Sequence, residues 1–238
     1  YTEIASTWPK RDNWTQQTVS HNTVMVDGEN QTPQWVGRPQ YVDATEHVSV
    51  VDVAAPDAYP DARTYRRQVA MVDVDEESSY VVDRFRVDGG EDHLFSFHGP
   101  EGEVATAGLE LTPQGTGTYA GEDVPRPDYG EDTAYNEAVG NGWNYLDEIR
   151  RDVSPGNPLA VDWAAVDTWD VRDGDPDVHL RLTMVGDLDE LALARGRPPS
   201  KPGNPDDLSY LLARRRGTDL STAFTSVIEP YEESRAVE

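Results

Sequence analysis

Among the side chains able to carry out chemistry, His21 lies in the densest local pattern. It belongs to the segment Ser20-His21-Asn22, directly before Thr23–Val26, where strand-forming residues run into a turn at Asp27-Gly28. A histidine at the start of a strand could bind a metal or transfer a proton. A single His-Asn pair in this position is more often structural, so the residues alone leave both interpretations open.

The other histidines give weaker signals. His93 and His98 are separated by an odd number of positions. On a regular strand their side chains would therefore point to opposite faces and could not share one metal. His47 lies in an acidic segment that we expect to be exposed, and His179 alternates with leucines as an ordinary strand residue does.

Two basic clusters could hold an anionic group. They are Tyr65-Arg66-Arg67 and Arg214-Arg215-Arg216, and an arginine fork can bind a carboxylate through two parallel hydrogen bonds. Pairing with a nearby Asp or Glu is the more frequent use of such arginines. No phosphate-binding loop, zinc-protease helix or nucleophile elbow is present in the sequence.

The composition excludes several classes of protein. The 238 residues carry 45 Asp and Glu against 20 Lys and Arg, a formal charge of −25, and Lys10 and Lys201 are the only lysines. This acidic excess, spread along the chain, is typical of a salt-adapted surface. Because self-repulsion is screened by salt, we expect lower thermal stability at 0.1 M than at 3 M salt. Nucleic acid is not an expected partner, since no basic stripe could neutralise phosphates.

Cysteine and targeting signals add little. There is no cysteine, which excludes disulfides and thiolate metal sites. No apolar run approaches the ~18 residues of a membrane span, and no signal peptide is visible. The sequence starts at Tyr1 in mid-pattern, so we expect it to be a fragment.

The elements that must position these side chains are short strands. Apolar and polar residues alternate in segments separated by Gly, Asp, Pro or acidic clusters, which predicts an all-β fold, an antiparallel multi-stranded β-sandwich. The predicted strands are Thr23–Val26, Val48–Val53, Arg67–Val74, Tyr80–Val87, His93–His98, Leu159–Trp163, Val178–Val185, Glu190–Ala194, Ser209–Arg214 and Ala223–Glu229.

The domain organisation follows from the breaks in this pattern. We expect one domain over 1–238, with a long irregular loop or insertion over 115–152 that is rich in Gly, Pro, Tyr and Asp. One short helix could lie within 134–151. A small distal part over 153–238 is the alternative to a single unit.

Several segments follow one another in an order typical of one enzyme family. They are Trp14-Thr15, Ser20-His21-Asn22-Thr23-Val24, Val26-Asp27-Gly28, Gln31, Tyr65-Arg66-Arg67, Tyr80-Val81-Val82-Asp83-Arg84-Phe85, His93 to His98, Tyr210-Leu211-Leu212-Ala213-Arg214-Arg215, Gly217, Phe224 and Val227-Ile228-Glu229-Pro230-Tyr231. In this order they resemble the C-terminal β-sandwich of the heparinase II/III-like polysaccharide lyases. The resemblance covers most of the chain except 115–152, and it does not identify the substrate.

The resemblance implies partners for His21 outside this sequence. In such lyases an N-terminal α/α toroid supplies catalytic Asn, His and Tyr. Tyr1 resembles the tyrosine of an Asp-x-Gly-Tyr segment, whose Asp would lie upstream. Metal-containing members hold zinc with that Asp, one upstream histidine and the histidine that matches His21. His21 is thus implied as a cleft-facing catalytic group and as one zinc ligand; one imidazole does not bind zinc well alone.

The implied reaction is β-elimination at a uronic acid in an acidic polysaccharide. Asn22, Arg66 and Arg67 are candidates for binding substrate, and Asn22 is also expected to hold its loop through hydrogen bonds to backbone. The charge of −25 would repel a polyanion, so binding would depend on local arginines and on salt. We expect the full-length lyase to be active, at an extracellular or cell-surface location, and this chain alone to be inactive.

Two alternatives belong to other functional classes. The chain could be a non-catalytic carbohydrate-binding or structural sandwich in which Trp35, Trp143, Tyr129 and Tyr135 stack on sugars, although aromatic residues in a sandwich are more often core. It could also act only by docking onto a toroid, which predicts an exposed apolar face.

Overall fold

A computed structural model shows two antiparallel sheets packed face to face. The structure describes residues 11–33, 37–127, 140–171, 174, 177–199 and 202–237. A six-stranded sheet has the order β1-β6-β13-β12-β9-β8, and an eight-stranded sheet has the order β2-β3-β4-β5-β14-β11-β10-β7. The predicted antiparallel sandwich is therefore confirmed. No helix in the described ranges is long and apolar enough to cross a membrane.

The strands alternate with short turns along the chain. Their bounds are β1 Thr23–Val26, β2 Arg38–Ala44, β3 Val48–Ala54, β4 Thr64–Asp73, β5 Ser79–Asp88, β6 Asp92–His98, β7 Val104–Ala107, β8 Thr112–Pro113, β9 Leu146–Asp152, β10 Leu159–Ala164, β11 Val178–Val185, β12 Glu190–Gly196, β13 Leu208–Arg216 and β14 Ser221–Glu232. Single helical turns occupy Arg11–Thr15, Thr18–Ser20 and Trp143–Tyr145.

The structure differs from the sequence-based expectation mainly in 115–152. The last part of this interval, expected as loop or insertion, is strand β9, which pairs with β12 inside the six-stranded sheet. Of the short helix expected within 134–151, the described part contains only the turn Trp143–Tyr145, and 134–139 lies outside the described residues. The strands of 153–238 lie among those of the first half in both sheets, since β13 pairs with β6 and β14 with β5.

The main core fills the space between the two sheets. Strand alternation sends one side of each strand inward, and the inward residues are large and apolar. Phe97 lies 5.7 Å from Trp163 between ring centroids, and Phe95 lies 5.6 Å from Phe224, so aromatic pairs join the sheets. The ends of β1 and β6 are fixed against this core.

The six-stranded sheet is covered on its second face as well. Trp14 stacks on Tyr145 at 5.7 Å and packs on Tyr210 at 5.8 Å, and all three are buried. Gly142 (φ +84°) permits the loop before Tyr145 to approach this layer, because an added Cβ would lie 2.9 Å from the Cβ of Gln17. This second core anchors 11–20 on the sheet, and the chain leaves that anchor at His21.

Candidate functional site

The segment before β1 is a hydrogen-bonded unit. Ser20 Oγ donates to the Gln17 carbonyl (2.8 Å), and Ser96 Oγ donates to the Val19 carbonyl (2.7 Å). Thr18 Oγ1 accepts from the Gln31 backbone N–H (2.8 Å). These bonds satisfy backbone groups that no strand pairs, so the segment keeps one conformation although it is irregular.

The other polar side chains of the motif are held in the same way. Gln31 Nε2 donates to the hydroxyls of Thr23 (3.0 Å) and Tyr65 (2.7 Å), and Trp14 Nε1 donates to the Arg197 carbonyl (3.0 Å). Asp27 Oδ1 accepts from the backbone N–H groups that open β6. The spacing of the motif thus reflects a network that fixes the entry to β1.

His21 differs from these neighbours because its side chain is exposed. Desolvation by surrounding atoms lowers the pKa of His21, and a hydrogen bond to the Thr15 backbone partly opposes this shift. A neutral imidazole whose one nitrogen is oriented by a backbone carbonyl presents its other nitrogen as a proton acceptor or a ligand. The geometry therefore suits either role that the sequence left open.

Asn22 brings a second histidine beside His21. Its Nδ2 donates to the His98 carbonyl (3.2 Å) and its Oδ1 accepts from the His98 backbone N–H (2.9 Å). The amide thus continues the contact between β1 and β6 beyond their first backbone pair, Thr23 with Ser96. The side chain of Asn22 is a backbone clamp in this structure.

His98 is a half-buried histidine whose neutral form is favoured. Burial lowers its pKa, and the nearby His21 lowers it further, against a weak bond to the Gly99 carbonyl (3.4 Å). The ring packs on Tyr210 at 5.1 Å. His93 points to the opposite face, as the spacing predicts, and bonds to the Gly89 carbonyl (2.7 Å) and Thr222 (2.9 Å).

The two arginine candidates already have carboxylate partners. Arg66 binds Asp52 through two nitrogens, and Arg67 binds Asp83 through Nε (2.9 Å) and Nη2 (2.7 Å). Asp52 and Asp83 are buried, and the bond from Arg66 holds the pKa of Asp52 low against the effect of burial. Arg67 also donates to the Asn22 carbonyl (2.8 Å), so a residue of β4 holds the backbone next to His21.

The residues described do not make a zinc site. No group of three His, Asp or Glu side chains among them is arranged to hold a metal, and a zinc site ordinarily needs at least three protein ligands. Zinc would therefore need ligands beyond the described residues.

The aromatic candidates for sugar stacking are placed differently from expectation. Trp143 is partly buried: it packs edge-on against Tyr119 at 5.3 Å, lies under the Arg214 guanidinium and packs against the second core. Trp35, Tyr129 and Tyr135 lie outside the described residues, as does Tyr1. The structure instead exposes Trp169, which the sequence reasoning missed; its position in an Asp-rich loop between predicted strands was the available signal.

One family model matches more than half of the chain. The family described as heparinase II/III-like, C-terminal, matches residues 1–144. A solved heparan sulfate lyase HepC mutant from Pedobacter heparinus is similar over 100% of this chain and 28% of its own, with 12% identity and a TM-score of 0.51. The heparinase III BT4657 gene product is similar over 98% of this chain and 27% of its own, with 14% identity and a TM-score of 0.57.

The identities and coverages define how far the similarity to solved structures extends. At such identities the two solved structures show a shared fold, and this chain spans little more than a quarter of their length. No curated protein sequence matches the chain significantly.

Proposed function

This chain belongs to the heparinase II/III-like family, and on that premise we propose that it forms the C-terminal domain of a polysaccharide lyase. The reaction proposed is β-elimination in a uronic-acid-containing polysaccharide. The proposal concerns the longer protein, because the chain covers about a quarter of the solved relatives.

The exposure of His21 is the observation that carries this proposal. The polar neighbours of His21 use their side chains in hydrogen bonds that hold the segment; they are Ser20, Asn22, Thr23 and Gln31. His21 is exposed, with its pKa lowered so that the neutral form dominates near pH 7. A rigid support around one exposed neutral imidazole is the arrangement that proton transfer requires.

The reaction requires three groups: a base, a proton donor for the leaving oxygen, and a group that neutralises the uronate carboxylate. The C5–H bond of the uronate breaks as a base takes the proton, its electrons form the C4=C5 bond, and the C4–O bond breaks as the leaving oxygen is protonated. Neutralising the uronate carboxylate stabilises the charge that develops at C5. In the proposal His21 takes part in proton transfer or orients the sugar.

The remaining groups are proposed to come from outside this chain. Arg66 and Arg67 already bind Asp52 and Asp83, so we expect the substrate carboxylate to be neutralised elsewhere. A toroid domain that supplies catalytic residues, and zinc bound with ligands from that longer protein, remain part of the proposal. This chain alone should then have no measurable lyase activity.

The test uses the longer protein that contains a toroid. Incubation with uronic-acid polysaccharides in high-salt buffer should release products with the ultraviolet absorbance of an unsaturated uronate. The 238-residue chain should release none under the same conditions. Activity of the chain equal to that of the longer protein would contradict the division of the site between two domains.

The alternative is a carbohydrate-binding sandwich without catalysis. It is favoured by Trp169, an exposed indole at the same end of the sandwich as His98. Glycan binding by a longer protein that never produces unsaturated ends would support this alternative.

A further inference from the structure

The outer face of the eight-stranded sheet carries two neighbouring arginines beside a cavity. On β5, Phe85 and Val87 point into the core between the sheets, so Arg84 and Arg86 point to the opposite face. The two arginines line a cavity of about 350 Å³. Residues of β4 and β14 also line this cavity, and they are Thr64, Ser221, Thr222 and Ala223.

The guanidinium of Arg86 lacks acceptors in the protein. Its Nε is buried and has no hydrogen-bond partner. Arg86 lies directly across from Arg66 on β4 and from Ala223 on β14. Like charges directly opposite each other on neighbouring strands destabilise a sheet, and a buried N–H without an acceptor costs free energy as well. The small side chain of Ala223 leaves space beside the guanidinium, so an anion from solvent can offset both costs.

Two carboxylates close to this cavity are already bound by other arginines. Asp52 is buried and accepts hydrogen bonds from two nitrogens of Arg66. Asp88, which lines the cavity, accepts hydrogen bonds from Nε (3.0 Å) and Nη2 (2.8 Å) of Arg63. The charge of each carboxylate is thus balanced by an arginine that does not line the cavity.

Arg84 and Arg86 therefore make a local excess of positive charge on a chain whose formal charge is −25. Within the part of the chain that the structure describes, neither arginine forms an ion pair. Their positions on one face of β5 place them about 7 Å apart along the strand. Each guanidinium presents a planar fork of N–H donors, which matches the oxygens of a carboxylate or a sulfate. Two such forks at this spacing can reach one anion.

We propose that Arg84 and Arg86 form a binding site for one oxyanion, a carboxylate or a sulfate group. The oxyanion lies between the two guanidinium groups, in the space beside Ala223. The hydroxyl groups of Thr64 and Ser221 line the same cavity and are further donors for its oxygens. A free ion and the acidic group of a sugar share this chemistry, and the experiment distinguishes them.

This site is separate from the candidate site at His21. Arg67, which bonds to the backbone next to His21, lies across from Phe85 and so on the core side of the sheet. Arg84 and Arg86 lie on the other side. The inference therefore goes beyond the proposed function and does not depend on it.

The experiment follows the Nε–Hε NMR signals of the arginines in this chain. Sodium sulfate, sodium acetate or sodium glucuronate replaces sodium chloride at a constant ionic strength of about 1 M, where long-range charge is screened. The Arg86 signal should shift with sulfate and with acetate and should reach saturation. Arg38 is the internal control: its pair with Asp57 is exposed, and its signal should not saturate.

Arg84→Gln should weaken the affinity about tenfold, because the oxyanion loses a charge-assisted partner while Arg86 remains as the reporter. Arg84 is exposed, so the variant should keep the fold, which its backbone NMR spectrum verifies. Arg38→Gln is the matched control and should leave the affinity unchanged. Arg84→Lys keeps the charge without the fork and should retain part of the affinity, and it replaces Arg84→Gln if that variant fails to fold.

Each result decides the inference. A saturable shift of the Arg86 signal that Arg84→Gln weakens would support the site. No saturable shift, the same response to added sodium chloride, or equal affinity of wild type and Arg84→Gln would overturn it. Tighter binding of glucuronate than of acetate would assign the oxyanion to a sugar, and equal binding would assign it to a free ion; both results support the site.

Discussion

Two histidine environments in this molecule have opposite electrostatics. At the entry to β1, desolvation lowers the pKa of both His21 and His98. On the outer face of the eight-stranded sheet, His179 donates to Asp162 (2.7 Å) and contacts Asp177 (3.0 Å), and these carboxylates raise its pKa. The first pair is therefore neutral near pH 7, whereas the two carboxylates beside His179 stabilise its protonated form.

The difference lies in what surrounds each ring. Burial alone would raise the pKa of Asp162, but bonds from His179, Tyr231 and Arg181 outweigh it and hold that pKa low. His179 also stacks on Tyr231 at 4.9 Å. A histidine engaged on both nitrogens stabilises a sheet surface, and a neutral one with a free nitrogen is suited to chemistry.

The largest expected effect is a difference in lyase rate between a variant of His21 and a variant of His179. In a toroid-containing protein, His21→Ala should lower the lyase rate roughly 10²–10⁴-fold, because a positioned proton-transfer group is lost. His179→Ala, the matched control, should leave the rate within a few-fold of wild type. Initial rates of unsaturated-product formation measure both. Equal losses of lyase rate for the two variants would contradict the claim that the two histidine environments have different roles.

Arg67→Ala should cost about 3–5 kcal/mol of the free energy of unfolding, because it leaves the buried Asp83 carboxylate without its partner. Arg38→Ala is the control: the Arg38–Asp57 pair is exposed and should contribute less than about 1 kcal/mol. Urea denaturation in high salt measures both values. Similar losses of unfolding free energy for the two variants would mean that the Arg67–Asp83 pair does not behave as a buried ion pair.

Asn22→Ala should cost roughly 1–3 kcal/mol, because the carbonyl and N–H of His98 lose their partner. Asn22→Asp keeps an acceptor for the N–H and should lose less. Denaturation midpoints and the NMR shifts of His21 and His98 report the change. An Asn22→Ala protein with unchanged stability and shifts would show that the clamp does not position His21.

The smallest effect is a pH dependence of opposite sign in the two regions. The pKa of His179 is above 6.5, so its contribution to stability is full below about pH 6.5 and is lost as pH rises through the higher folded-state pKa. The pKa values of His21 and His98 are below 6.5, so their contribution is full above about pH 6.5 and is lost as pH falls.

NMR titration of the ring protons tests these signs directly. His179 should titrate above His21 and His98, and His179→Ala should remove the alkaline loss of stability. The reverse order of titration would contradict the electrostatic comparison.

The sequence predicted most of the strands but not the whole six-stranded sheet. Strands with clear alternation, such as β1 and β11, were located with their observed bounds. β9 was missed because it follows a Gly- and Pro-rich stretch, and its pairing with β12 is decided by a distant segment. β2 was also missed; all its residues are exposed, so it has no buried face to produce a pattern.

Only part of the candidate site could be predicted, because the rest depends on which strands pair with one another. His21 was recognisable from its motif, but His98 was considered only as a partner of His93. The register of β1 with β6 brings His98 to Asn22, and no local pattern contains that register. The Trp169 indole is bonded to the carbonyl of Gly203, which lies 34 positions away in sequence.

The sequence by itself therefore determined the sandwich class, the absence of cysteine chemistry, the acidic composition and the family of its motif. The tertiary structure decided which histidines are neutral, which arginines are already paired and which tryptophan faces solvent. The reason is physical. Alternation is a property of a few adjacent residues, whereas the desolvation and charge around a side chain come from strands that are neighbours in the sheet but not in sequence.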